Sequence, residues 1–289
     1  MKYIRLIYLV TFVFILLYFF EFDYSGINFT KINPYLFLTS SILLYFGYFP
    51  YSYSWKQILN EFGIDISFKD SYKIISKTMI TKYVPGKIAF FYTLVKSTSN
   101  CTKASNKELT YGLFVFQILI VITGLAFATL LFNTIPLEIP LISLILFLLV
   151  CLILSSSFFI KKLKLGLSKL IKVETFVSSI KLKRFISVLS ILFLTWLVWS
   201  IAFLVLLKSL GIENIGFEIG FIFPVAVSSG ILLFIAPGGL GFREGAMVYL
   251  LLSSGLSLES ATTISIISRL WFICVELIIF FLGWLFNEK

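Results

Sequence analysis

The sequence predicts an all-α membrane protein with six full transmembrane helices and two re-entrant broken-helix hairpins, arranged as an inverted repeat. Hydrophobic residues make up 59% of the chain and charged residues only 13%, whereas soluble domains have about 45–50% and about 25%. The apolar runs extend from residue 4 to residue 286 and leave no stretch for a soluble domain. We therefore expect residues 1–289 to form a single polytopic membrane domain.

Six apolar runs are long enough to cross a bilayer as a helix, which takes about 20 residues. The first follows a basic start but ends without the small residues of a signal-peptide cleavage site, so we interpret it as an uncleaved span. The predicted spans are 4–20, 34–53, 109–132, 136–160, 185–207 and 262–286.

Two further apolar regions are interrupted. The region 72–96 is amphipathic and contains Pro85-Gly86, and the region 217–252 contains Pro224 and then Pro237-Gly238-Gly239. Proline removes a helix hydrogen bond and glycine loosens the backbone. Such breaks occur at membrane depth only where the backbone is buried in protein or lines a cavity. We interpret both regions as re-entrant hairpins.

The distribution of charge predicts the orientation. The loop 161–184 contains eight basic residues and a single acidic one, Glu174, and basic loops stay on the cytoplasmic side. This orientation predicts a protein of the bacterial inner membrane with both termini on the cytoplasmic side. The first hairpin then enters from the cytoplasm and the second from outside. Because the basic residues flank spans and attract anionic lipids, the net charge of +10 does not predict a nucleic-acid partner.

The order of the elements repeats along the chain. Each half, about 1–133 and 134–289, contains two spans, a broken hairpin and a third span, and the Pro-Gly breaks lie 152 residues apart. Three full spans per half place the second half upside down relative to the first. Inverted repeats of this kind are typical of secondary transporters, whose broken helices meet near the bilayer midplane.

The sequence contains no histidine, which excludes histidine-based catalysis and histidine metal sites. Cys101, Cys151 and Cys274 are far apart and predict neither a disulfide framework nor a zinc site. We expect no metal and no cofactor.

The segment Ala236–Gly245 is the strongest candidate for a binding site. Its glycines do not have dinucleotide-binding spacing and no βαβ unit surrounds them. A half-helix is expected to begin near Phe242, where free N–H groups bind anions, and Arg243 is a bidentate donor suited to phosphate. Glu244 either pairs with Arg243 or takes up a proton. A purely structural turn with an Arg243–Glu244 ion pair is the alternative. The backbone candidates are Pro237, Gly238, Gly239 and Gly241.

Arg269 and Glu276 are charged residues inside the last span, seven positions apart and therefore on one helix face. Charges within a membrane usually face the interior of the bundle and mark a functional path. The alternative is a structural pair that bonds backbone carbonyls of the hairpins. Gln117 occupies the position of Arg269 at the 152-residue offset and is expected to line the same cavity.

The first hairpin has cations beside its break. Lys87 directly follows Pro85-Gly86 and is either a headgroup contact or an interfacial side chain. For Lys82 and Lys96 we favour side chains that extend to the cytoplasmic interface.

The segments Lys82–Ile88 and Ala236–Gly245 resemble the two hairpin motifs of the lysylphosphatidylglycerol synthase/flippase-like transmembrane family, and Gly255, Ala261 and Arg269 match its later pattern. The resemblance extends over nearly the whole chain. It implies a membrane domain that handles lipids with polar or phosphate-linked headgroups. The family's aminoacyltransferase domain is not expected here, because the sequence ends at Lys289 just after the last span. Family members without that domain resemble proteins that act in polysaccharide or glycolipid assembly in the cell envelope, which implies a polyprenyl-linked lipid or a glycolipid as the substrate.

The resemblance and the charged residues together predict a flippase for an anionic or phosphate-linked (glyco)lipid, with membrane lipids as partners. Two alternatives stay open. One is an integral-membrane transferase that acts on a lipid phosphate, with Glu244 or Glu276 as its base. The other is a non-transporting membrane partner of glycan-assembly enzymes.

Overall fold

The computed structural model describes residues 6–7, 10, 13, 32–84, 88–131, 133–155, 182–212, 215–232 and 241–285, and all regular structure within these ranges is helical. The α-helices are α1 (Pro34–Glu61), α2 (Phe68–Thr78), α3 (Ile88–Cys101), α4 (Asn106–Ala126), α5 (Glu138–Ser155), α6 (Leu182–Ser209), α7 (Ile222–Leu232), α8 (Phe242–Ser253) and α9 (Leu258–Leu285). Short 3-10 helices cover Met79–Tyr83, Phe127–Leu131 and Phe217–Phe221.

Three described stretches are long and apolar enough to cross a membrane: Asn106–Leu131, Arg184–Ser209 and Leu258–Trp284. They confirm three of the predicted spans, 109–132, 185–207 and 262–286, and identify an integral membrane protein.

The other predicted spans are not established to the same degree. The span 34–53 lies in α1, which is long enough but rich in tyrosine and serine and is not among the apolar stretches. The span 136–160 coincides with α5 as far as Ser155, and the apolar helix found within its described part, Glu138–Cys151, is shorter than a full span. The span 4–20, apart from four helical positions, and the loop 161–184, apart from its last three residues, lie outside the described residues.

Each interrupted region has described helices before and after its predicted break, and residues 85–87 and 233–240 between them lie outside the described residues. The 3-10 helix after α2 ends at Tyr83 and α3 begins at Ile88, while α7 ends at Leu232 and α8 begins at Phe242. The predicted helix start near Phe242 is therefore confirmed.

Pro224 does not interrupt the helix as predicted. It lies in the first turn of α7, directly after the 3-10 helix Phe217–Phe221. In the first turn a proline removes no helix hydrogen bond. The break expected there is only a change from 3-10 to α geometry.

The pair α1 and α6 forms the centre of the structure. Gly47 on α1 lies directly against the indole of Trp199 on α6, whose Nε1 donates to the Leu44 carbonyl at 3.1 Å. One turn away, Trp196 Nε1 donates to the Ile120 carbonyl of α4 at 3.0 Å. Helix α9 packs against α2 and α8. It therefore lies between the two interrupted regions, and its inner face meets both.

Replacing Gly47 by alanine is expected to lower the free energy of unfolding by about 1–3 kcal/mol, as overpacked core substitutions do. A Cβ at this position would overlap the Trp199 indole. Thermal unfolding in detergent, followed by tryptophan fluorescence, measures the effect. Gly245→Ala is the matched control, because a Cβ there meets no atom within 4 Å. Equal melting temperatures for the two variants would contradict this packing.

Candidate functional site

A cavity lies among α1, the 3-10 helix Met79–Tyr83, α3, α4, α6, α7, α8 and α9. The volume open to water-sized molecules is about 80 Å³, enough for several waters at about 10–15 Å³ each. Aromatic side chains form much of its wall: Tyr48, Tyr51, Tyr83, Trp196, Trp199 and Phe272. Three cations, Lys82, Arg243 and Arg269, also line it.

Glu276 on α9 is completely buried and accepts three hydrogen bonds. The Lys82 ammonium and the Tyr48 hydroxyl donate to Oε1 at 2.5 Å, and the Tyr83 hydroxyl donates to Oε2 at 2.6 Å. A buried carboxylate requires such a cation and donors, because its desolvation is otherwise uncompensated. These contacts link α9 to α1 and to the first interrupted region.

Arg269 on α9 connects the same helix to the second interrupted region. It is 1% exposed, and its Nη1 lies 3.2 Å from Glu244 Oε1. Its guanidinium carbon is also 5.4 Å from the centre of the Tyr83 ring. The other oxygen of Glu244 accepts the Gly241 N–H at 2.8 Å and so caps α8. Gly241 has φ +80°, a conformation that favours glycine.

Arg243 on α8 carries a positive charge that no carboxylate of the described residues pairs in a salt bridge. It is only 4% exposed, and its Nη2 has no hydrogen-bond partner within the same part of the chain. Its guanidinium carbon lies 4.9 Å from the centre of the Phe272 ring and 5.4 Å from that of Phe223. The Lys82 nitrogen lies 4.5 Å from the same Phe272 ring.

The pairing of the charges differs from the expected one. An Arg243–Glu244 ion pair is absent from the salt bridges of the described residues, because adjacent residues of a helix do not face each other. Arg269 and Glu276 are both buried, as residues on one inner face should be. They do not pair with each other: Glu276 pairs with Lys82 of the first interrupted region, and Arg269 pairs with Glu244 of the second.

Lys82 was expected at the cytoplasmic interface, and that prediction is wrong. Its ammonium bonds to Glu276 across 194 positions of sequence, whereas Lys96 is exposed as expected. Tyr48 and Tyr83 were not among the candidates. The sequence signal for both was weak, because Tyr48 is one of several tyrosines in α1 and Tyr83 is marked only by its position next to Lys82.

The remaining candidates are placed as follows. Gln117 is half-buried and lines the cavity. The Gly241 N–H is occupied by Glu244 and is not free for an anion in this conformation. The other backbone candidates and Lys87 lie outside the described residues: Pro85, Gly86, Lys87, Pro237, Gly238 and Gly239.

Comparison with known proteins gives one match. Residues 4–279 match the family described as lysylphosphatidylglycerol synthase TM region. No curated protein and no solved structure matches the chain. The family match extends over nearly the whole sequence and confirms the resemblance drawn from the two hairpin motifs.

Proposed function

Because the chain belongs to the lysylphosphatidylglycerol synthase TM region family, we propose that this integral membrane protein is a translocase for lipids with an anionic or phosphate-linked headgroup. The observation that carries the proposal is Arg243, a buried cation that faces the cavity without a carboxylate partner in the described part of the chain.

The charges around the cavity favour an anionic ligand. Lys82 is paired with Glu276 and Arg269 with Glu244, so Arg243 is left as the excess positive charge of these five side chains. A buried charge without a partner is strongly unfavourable, and a bound phosphate would offset that cost. The planar guanidinium presents paired donors that match two phosphate oxygens.

The positions of the helices support the inverted-repeat arrangement that this proposal uses. Helix α4 begins at Asn106 and α9 at Leu258, which is the 152-residue offset of the Pro-Gly breaks. Gln117 and Arg269 are related by the same offset, and both line the cavity. We propose six spans, with hairpins that enter from opposite faces of a bacterial inner membrane and both termini in the cytoplasm.

Transport requires the cavity to change shape. The present volume of about 80 Å³ is small beside the roughly 300–1,000 Å³ of typical ligand pockets. Rocking of one half against the other would widen it toward each side in turn. The ion pairs that join α9 to both interrupted regions lie where such a movement would act.

The test is transbilayer movement of a fluorescent phosphatidic acid and a polyprenyl phosphate in liposomes that contain the purified protein. Arg243→Gln is expected to slow movement by about 10-fold to 100-fold, because a hydrogen bond to a charged group contributes about 1.5–3 kcal/mol. Accessibility of the label to a membrane-impermeant reductant measures the rate.

Arg184→Gln is the matched control, because Arg184 pairs with Glu61 in a partly exposed bridge and does not line the cavity. Equal rates for wild type and Arg243→Gln would remove Arg243 from the mechanism. Absence of movement of either lipid, with folded wild-type protein, would contradict the translocase proposal for these lipids.

A further inference from the structure

The cavity has an opening where three helices meet. Four of its lining residues are only partly buried: Lys82 on the 3-10 helix Met79–Tyr83, Phe91 on α3, Gln117 on α4 and Ile231 on α7. Both α3 and α7 pack against α4, and the Phe91 ring contacts the Phe114 ring of α4 at 5.5 Å. The opening therefore lies between α3 and α7, with Gln117 of α4 at its floor.

The depth of this opening follows from the length of the membrane-crossing stretch Asn106–Leu131. At 1.5 Å per residue, Gln117 lies about 17 Å from its start and about 21 Å from its end. A bilayer has a hydrocarbon core about 30 Å thick. An opening at the level of Gln117 is therefore near the middle of the membrane.

The rim of the opening is apolar. Ile88 on α3 is 73% exposed, Leu232 on α7 is 60% exposed, and Phe114 and Ile118 on α4 are also exposed. At mid-bilayer depth such side chains face lipid chains and not water. The inner end of the same cavity contains Arg243 and Arg269, which are 4% and 1% exposed. One continuous space thus connects a cationic interior to the hydrocarbon phase.

We propose that the opening between α3 and α7 binds the hydrocarbon chain of a lipid whose phosphate lies on Arg243. The assignment rests on the proposed function and specifies its ligand as an amphiphile that enters sideways from the membrane. A phosphate in hydrocarbon is strongly unfavourable, and so is a hydrocarbon chain in water. This geometry avoids both, because the headgroup is inside and the chain stays in the bilayer.

Site-specific photocrosslinking tests the proposal. The photoreactive residue p-benzoylphenylalanine replaces Ile231 in one variant and Leu148, an exposed position on α5, in a control. Phosphatidylcholine vesicles contain equal amounts of tracer phosphatidic acid and tracer phosphatidylcholine with identical labelled chains. We expect several-fold preferential capture of phosphatidic acid at position 231 and equal capture of both tracers at position 148.

The preference at position 231 should depend on the cationic interior. Arg243→Gln is expected to remove it, and Arg243→Lys, which keeps the charge, should retain part of it. Size-exclusion profiles of both variants confirm that they are folded. Glycerol 3-phosphate, which has the headgroup but no chain, should compete far more weakly than unlabelled phosphatidic acid.

Equal capture of the two tracers at position 231 would overturn the assignment of the opening, as would full competition by glycerol 3-phosphate. If phosphatidic acid still moved across liposomes in an Arg243-dependent way, only the sideways entry would be wrong. If no such movement occurred either, the proposed translocase function would fail for this lipid together with the opening.

Discussion

Glu276→Ala is expected to lower the free energy of unfolding by about 3–5 kcal/mol, the range for breaking a buried ion pair. The substitution removes the acceptor of Lys82, Tyr48 and Tyr83 at once. It also removes the hydrogen bonds through which Glu276 links α9 to α1 and to the first interrupted region. Denaturant-induced unfolding in detergent micelles, followed by tryptophan fluorescence, measures the loss.

A set of variants separates the charge from the hydrogen bonds. Glu276→Gln keeps an acceptor for the tyrosines, and Lys82 remains partly hydrated because its side chain is 24% exposed, so the loss should be smaller than for alanine. Lys82→Met leaves the completely buried Glu276 carboxylate without its cation, so we expect a large loss in the free energy of unfolding. Adding Glu276→Gln to Lys82→Met should restore stability, because neither charge remains. Additive losses in the double variant would show that the two side chains do not interact.

Arg269→Ala is expected to have a comparable effect, again about 3–5 kcal/mol for a broken buried pair. The guanidinium is 1% exposed and lies between Glu244 and the Tyr83 ring. Its removal leaves Glu244 with the Gly241 N–H and weakens the link between α9 and the start of α8. The melting temperature and the rate of lipid movement should both fall.

Glu244→Gln should partly rescue Arg269→Ala, because a glutamine still accepts the Gly241 N–H but carries no charge. Arg184→Ala, at the partly exposed Glu61 pair, provides the comparison and should cost about 0–1 kcal/mol. Equal losses for Arg269→Ala and Arg184→Ala would mean that the buried pair contributes no more than a surface pair.

The helices that cross the membrane could be predicted from sequence because span length and apolarity are local properties of the chain. The stretches Asn106–Leu131, Arg184–Ser209 and Leu258–Trp284 agree with the predicted spans to within a few residues at each end. The start of α8 at Phe242 was predictable for the same reason, since a glycine that can adopt positive φ precedes it. The tyrosine-rich α1 shows the limit, because its apolarity is too low to establish a span from the helix alone.

The sequence also determined which charges belong inside the bundle. Arg243, Arg269 and Glu276 were candidates because a charged side chain within an apolar run must face protein or water, and all three are buried. Only the tertiary structure decided how they pair. Lys82 and Tyr48 reach Glu276 across 194 and 228 positions of sequence, and Glu244 forms its ion pair with Arg269 and not with its neighbour Arg243. These contacts depend on the rotation and register of one helix against another, which apolar periodicity within a single helix does not encode.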